Sequence, residues 1–187
     1  MKYFIKIKTN VDIRPLLDEI NHQQNPWALH EGRQNKIKVQ REAQSIPLRG
    51  LVKSKIQGRK RCDVHESRFT TTSSRFPLAI ALIKTFAAEA NGELSRAKLV
   101  NLPSGNRVYS HIDRGEYYKI RNRYHLILQS GSDGSYLKSG DEDVRMKLGE
   151  LWWFDNKQPH ESFNDSDQER IHLIFDLLPE NATTHLD

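Results

Sequence analysis

Apolar and polar side chains nearly alternate through Tyr3, Phe4, Ile5, Lys6, Ile7 and Lys8, the period of two that predicts a strand over residues 2 to 8. The spacing then lengthens: Ile13, Leu16, Leu17 and Ile20 predict a short amphipathic helix over residues 11 to 20, with Asp12 as a candidate cap. Residues 36 to 40 and 46 to 52 alternate again and read as strands, Pro47 marking an edge position and Gly50 a bend or bulge. The polar, Ser- and Thr-rich text from Cys62 to Ser74 reads as a loop. The clearest helix spans about 76 to 90, with Ser74 as candidate N-cap, Pro77 in the first turn and an exit through Asn91-Gly92. Ala79, Leu82, Ile83, Phe86 and Ala90 share one face of it, the face expected to lie flat on a sheet.

Beyond Gly92 the text becomes strand and turn. Strands are predicted over 94 to 101, 106 to 112, 123 to 129, 144 to 148, 150 to 155, 159 to 163 and 170 to 177. Turn signals part them at Pro103-Ser104-Gly105, Gly131 to Gly134, Ser139-Gly140-Asp141, Gly149 and Asn164-Asp165. Short strands in succession, with no helices between them, predict a mainly β antiparallel sandwich or barrel with a few flanking helices.

Composition narrows this picture. A chain of 187 residues holds one substantial core, so a single domain over 1 to 187 is the working expectation, with a basic elaboration at 1 to 75 and a supporting helix at 76 to 92. Cys62 is the only cysteine, which excludes an intramolecular disulfide framework and a thiolate zinc cluster made by one chain. No apolar run approaches a membrane span or the core of a signal peptide, and a soluble, cytoplasmic protein is expected. The charge is uneven: residues 1 to 75 carry 16 Lys and Arg against 7 Asp and Glu, while the remainder carries 13 against 17. That asymmetry is either a solvated basic surface or a face for an acidic partner such as a nucleic acid or a ribosome-associated protein. The Arg59-Lys60-Arg61 cluster has no interleaved aromatic residues and adds little to the second reading.

The candidate chemistry begins with His111 and Asp113, two residues apart, answered by His160 and then Arg170. On a strand, residues i and i+2 share a face, so an imidazole and a carboxylate can grip one metal ion while another strand supplies the second imidazole. Two histidines and a carboxylate form the facial triad of non-haem iron oxygenases. Taken alone, a His-x-Asp pair more simply forms a hydrogen bond on a surface strand. Along the last strand Arg170, His172, Ile174 and Asp176 share one face, and a cation facing a barrel interior is costly unless paired, either with an anionic ligand or with a nearby Asp or Glu. On the 123 to 129 strand, His125 faces inward if Tyr124, Leu126 and Leu128 pack toward the helix; it is then either a core histidine or a ligand contact. Arg121 and Arg123 either bind substrate or rim the opening. Motifs of zinc proteases, P-loops, dinucleotide folds and serine hydrolases are absent.

The surrounding text carries a further signal. Leu102-Pro103-Ser104-Gly105 precedes His111, Arg123-Tyr124-His125-Leu126 follows it, and then come Gly149-Glu150-Leu151-Trp152-Trp153-Phe154-Asp155-Asn156, His160 and Arg170-Ile171-His172-Leu173-Ile174-Phe175-Asp176. In order and spacing this series resembles the aspartyl/asparaginyl β-hydroxylase family of Fe(II)- and 2-oxoglutarate-dependent oxygenases, over roughly residues 94 to 178. The resemblance implies a double-stranded β-helix (jelly-roll, cupin-like) core at 93 to 178. It implies that His111 and His160 bind iron, that Arg170 pairs with the distal carboxylate of 2-oxoglutarate, and that His125 reaches the same cosubstrate. Family members differ at Asp113: the animal enzymes lack this carboxylate, whereas many bacterial relatives, free-proline hydroxylases among them, keep the third ligand. Keeping it argues against a halogenase.

The implied reaction consumes 2-oxoglutarate and dioxygen and hydroxylates an unactivated C–H bond of an amino acid, free or as an Asp, Asn or Pro residue in a polypeptide. Two readings from other classes compete. A non-catalytic cupin-type sensor or ligand-binding module would keep the histidines without needing Arg170. A nucleic-acid- or ribosome-associated protein would use the basic first part, with the barrel as scaffold.

Overall fold

The computed structural model describes residues 1–30, 37–52, 57–60 and 63–185. Arg61 of the basic cluster, Cys62 and residue 36 of the strand expected at 36 to 40 lie outside the described residues. In chain order the elements are β1 (Phe4–Lys8), α1 (Arg14–Asn21), β2 (Gln44–Leu51), β3 (Ser67–Phe69), α2 (Pro77–Glu89), β4 (Gly92–Leu102), β5 (Arg107–His111), α3 (Glu116–Lys119), β6 (Asn122–Gln129), β7 (Ser135–Ser139), β8 (Glu142–Met146), β9 (Leu151–Phe154), β10 (His160–Phe163) and β11 (Arg170–Pro179), with short 3-10 turns between some of them.

The strands form two antiparallel sheets. The larger has the order β1-β9-β6-β11-β4-β2-β3 and the smaller β5-β10-β7-β8. Most neighbours in the sheets are distant in sequence, as in a jelly roll, and the larger sheet joins strands from both halves of the chain. β1, from the N-terminus, pairs with β9 through Phe4 opposite Phe154, and β2 pairs with β4 through Ile46 opposite Leu99.

Alternation along each strand sorts its side chains between two cores. On the helix side, Ile171, Leu173, Phe175 and Leu177 of β11 join Leu126 and Leu128 of β6 and meet Ile83 and Phe86 of α2. Phe86, Phe175 and Tyr124 stack in sequence, with centroids 5.8 and 5.4 Å apart. Between the sheets, Phe4, Ile127, Trp152 and Phe154 meet Leu137, Val144 and Met146. The opposite faces of β6 and β11, which carry His125, Arg170, His172 and Asp176, therefore turn into the space between the sheets.

Several local expectations change. The strand expected at 36 to 40 is a 3-10 turn at Lys38–Gln40, and the loop expected from 62 to 74 contains β3 and a 3-10 turn at Thr71–Arg75. β7 lies where no strand was read, between the turn signals at Gly131 to Gly134 and Ser139-Gly140-Asp141: SYLKS has just two bulky positions, Tyr136 and Leu137, too few to show a period. Ser74 does not cap α2; its hydroxyl donates to the Thr71 carbonyl. The free N–H groups of Leu78 and Ala79 donate instead to the Glu19 carboxylate from α1, at 2.7 and 3.1 Å.

The uneven charge is partly balanced within the molecule. Lys6 pairs with Glu150 and Lys8 with Glu89, so cations of the first part meet acids of the second. Among the described residues no helix is long and apolar enough to cross a membrane.

Candidate metal and cosubstrate site

The smaller sheet supplies the histidines. His111 ends β5 and His160 begins β10, and the register sets them directly opposite each other, ring centroids 4.2 Å apart. Each donates Nδ1–H to the carbonyl two residues before it: His111 to Tyr109 at 2.7 Å, His160 to Gln158 at 2.9 Å. With the proton fixed on Nδ1, both Nε2 lone pairs remain for a cation.

Asp113 lies just past the end of β5 rather than on it, so the loop backbone has to hold it in place. Its N–H donates to the Asn156 carbonyl at 3.2 Å, and Asn156 Nδ2 donates back to Asp113 Oδ2 at 2.9 Å. Asn156 thus grips the carboxylate itself, beyond shaping the turn before His160. Asp113 Oδ1 stands 3.9 Å from His111 Nε2. One donor atom from each of His111, Asp113 and His160 falls within 4.8 Å of the other two.

The protonation states suit a cation. Burial works against the Asp113 charge, but Arg123, His160, Asn156 and His111 together hold its pKa at about 2. Burial pushes His160 down to about 4 against the pull of Asp113. At neutral pH Asp113 is a carboxylate and His160 an unprotonated imidazole, donors that first-row divalent metals take.

A cavity of about 660 Å³, part of it open to solvent, runs from these histidines between the sheets; His125, Arg123, Arg170 and His172 line it further on. Arg170 is 6 % exposed, and burial lowers its pKa only to about 10, so it stays protonated. Among the described residues no carboxylate pairs with it. Its partner is the neutral ring of His172, which takes Nε–H on Nε2 at 3.0 Å, while Nη1 is buried with no hydrogen bond. A buried, uncompensated guanidinium with an orphan donor is a site for a carboxylate.

His172 Nδ1 lies 3.3 Å from Arg170 Nη2 and 3.2 Å from His125 Nδ1, so the guanidinium and both rings form one buried contact chain. Both rings are kept neutral by burial first and the Arg170 charge second.

Arg121 and Arg123 have partners inside the protein. Arg121 lies off the cavity wall; Nε donates to Ser95 Oγ at 2.8 Å and Nη1 meets His65 Nδ1 at 2.8 Å. Arg123 reaches the wall, but its fork closes on Asp176, Nε to Oδ1 at 2.8 Å and Nη2 to Oδ2 at 3.0 Å, while Nη1 donates to Asp113 Oδ2. Asp176 was legible as an inward-facing acid on the last strand, yet its partner was not. Ser135, whose hydroxyl lies 2.9 Å from His172 Nε2, could not be found, because its strand was not.

The sequence profile of the aspartyl/asparaginyl β-hydroxylases matches residues 33–179, most of the chain. The chain belongs to that family. Membership makes it a hydroxylase of that family. No curated protein matches the sequence. Solved structures match over nearly the whole length. A prolyl hydroxylase in complex with a hypoxia inducible factor oxygen degradation domain peptide fragment, from Trichoplax adhaerens, is 13% identical, with 98% of this chain and 87% of that one covered and a TM-score of 0.59. The viral collagen prolyl hydroxylase of Paramecium Bursaria Chlorella virus-1, in its 2-oxoglutarate complex, is 10% identical, with 95% and 97% covered and a TM-score of 0.54. An oxidoreductase of the 2-oxoglutarate-Fe(II) oxygenase family from Burkholderia pseudomallei is 10% identical, with 94% and 96% covered and a TM-score of 0.52. At these identities the likeness is one of fold, and the fold of the hydroxylase is the double-stranded β-helix.

Proposed function

We propose that His111, Asp113 and His160 hold the Fe(II) of this hydroxylase, that Arg170 and His125 bind 2-oxoglutarate, and that the substrate is an amino acid, free or within a polypeptide. The observation that carries this reading is the pairing, in one cavity, of a two-imidazole, one-carboxylate donor set with a buried cation that no protein acid neutralises. Bound there, Fe(II) with 2-oxoglutarate and dioxygen supplies the oxidant that hydroxylates an unactivated C–H bond, 2-oxoglutarate leaving as succinate and carbon dioxide.

The chain's own residues do the rest. The Tyr109 and Gln158 carbonyls hold the two imidazoles in the metal-binding tautomer. Arg170 offers a planar fork to the distal carboxylate of 2-oxoglutarate, and His172 holds that fork in orientation by accepting the Arg170 Nε–H on Nε2. His125 lines the same cavity and offers the cosubstrate a neutral imidazole beside Arg170. Val100, Leu102, Val108 and Phe154 line the cavity with apolar surface that excludes water and strengthens each charged contact. A ligand-binding module without turnover has no need of a buried guanidinium held ready for a dicarboxylate.

The test is turnover. Protein supplied with Fe(II), 2-oxoglutarate and candidate amino acids or peptides releases succinate, His111→Ala releases none, and Arg170→Ala requires about tenfold or more 2-oxoglutarate, as expected when a charge-assisted pair is lost. Equal turnover by wild type and His111→Ala contradicts the assignment.

A further inference from the structure

The carboxylate that completes the donor set is not free to turn. Asp113 Oδ2 takes two hydrogen bonds, from Arg123 Nη1 and from Asn156 Nδ2 at 2.9 Å, whereas Oδ1 faces His111 Nε2. Behind Arg123 stands a second acid, Asp176, 2 % exposed, which receives the other edge of the guanidinium through two bonds. Asp176 Oδ2 also takes the Tyr117 hydroxyl proton at 2.9 Å, and the Tyr117 oxygen accepts the backbone N–H of Arg96 at 3.0 Å. The result is a buried line from Asp113 through Arg123 and Asp176 to Tyr117, fixed at its far end on the β4 backbone.

We propose that Arg123 and Asp176 are positioning residues, which lock Asp113 so that it meets the metal through Oδ1 alone and which keep the site anionic. The inference rests on the metal reading above and deepens it. Two physical arguments carry it. A carboxylate with one oxygen already holding two donors, one of them charged, gives up that oxygen to a metal only by breaking a charge-assisted bond. A lone buried Arg beside Asp113 would cancel the negative charge that a divalent cation needs. With Asp176 added, the trio Asp113, Arg123 and Asp176 keeps one net negative charge, so the arginine orients without neutralising. Arg123 therefore serves the metal from behind and is not a contact for the substrate.

The experiment uses the full chain, stripped of metal by chelation and titrated with Co(II), whose d–d absorption reports ligand number and geometry. Two variants are compared with wild type: Asp176→Asn, which leaves Arg123 to neutralise Asp113, and the double variant Arg123→Gln with Asp176→Asn, which removes the brace without stranding a buried charge. Each variant that melts cooperatively is expected to bind Co(II) about tenfold or more weakly, the loss typical when a group orienting a metal ligand is removed. The double variant is also expected to show an altered d–d spectrum, because Oδ2 is released. A purely structural role would lower the melting temperature and leave Co(II) affinity and spectrum in place. That outcome, or a loss below tenfold in a folded variant, overturns the proposal. A crystal structure of Co(II)-loaded wild type tests it without any substitution: Oδ1 on the metal with Oδ2 still on Arg123 supports it, and both oxygens on the metal overturn it. If wild type binds no Co(II), the metal reading itself fails and the brace fails with it; if wild type binds and the variants match it, only the brace is lost.

Discussion

Single residues explain why some of the site could be read from text and some could not. His111, Asp113 and His160, which the fold brings together, were legible as a candidate donor set because metal-binding side chains have a restricted chemistry and Asp113 lies two positions from His111. Arg123 was harder, since an arginine near an active site has many uses and its true partner, Asp176, is distant in the text but directly opposite across the β6–β11 ladder. Glu150 gives a residue-scale prediction of a similar kind. Its carboxylate takes Trp152 Nε1 at 2.8 Å, the Lys147 backbone N–H at 2.8 Å and Lys6 Nζ. Burial opposes its charge, but Lys6, Lys147 and Trp152 prevail and hold its pKa below the ordinary glutamate value. A folded-state pKa below the unfolded one contributes stability that is present above the unfolded value and is lost as pH falls through the folded value. Glu150→Gln is therefore expected to cost about 1–2 kcal/mol at pH 7, read as a fall of several degrees in melting temperature, and the gap to wild type should close as the pH drops below about 4. A gap that widens in acid would show that the carboxylate is not held in this way.

At the scale of elements, period decided what was visible. Long segments with a full apolar face, α2 and β11 above all, were legible because packing on the helix-side core demands a repeated position. β7 was not, because two bulky side chains in five residues set no period, and its identity comes from pairing with β8 and β10. Helix ends show the same limit. Ser74 is a sound local candidate for the α2 cap, yet Glu19 takes that place from 59 residues away, where the two unpaired N–H groups and the positive end of the helix attract a carboxylate. Glu19→Ala is expected to destabilise the protein by about 1 kcal/mol, seen as a lower midpoint in urea, while Ser74→Ala leaves the midpoint close to that of wild type. The reverse ranking would return the capping role to Ser74.

For the whole molecule, text carries strands better than it carries their neighbours. β1 and β2 were expected as strands, but nothing local says that β1 closes against β9 or β2 against β4, more than a hundred and about fifty residues away. Long-range antiparallel pairing is set by which faces must be buried together, and that emerges only when both cores form. The same closure lets Lys6 and Lys8 meet acids of the later sequence, so charge that looked like a docking surface serves in part to bind the first segment to the rest. It also opens the cavity between the sheets, with the histidines on one wall and Arg170 on the other.

The central claim is that these two walls serve one complex. Its most direct measurement is an anaerobic titration of 2-oxoglutarate into Fe(II)-loaded protein, followed by visible charge-transfer absorption. Wild type should give a saturable band at one equivalent, Asp113→Ala should lose or shift it, and Arg170→Ala should need far more 2-oxoglutarate to reach it. Absence of the band in wild type, or saturation at the same concentration in Arg170→Ala, would contradict the account.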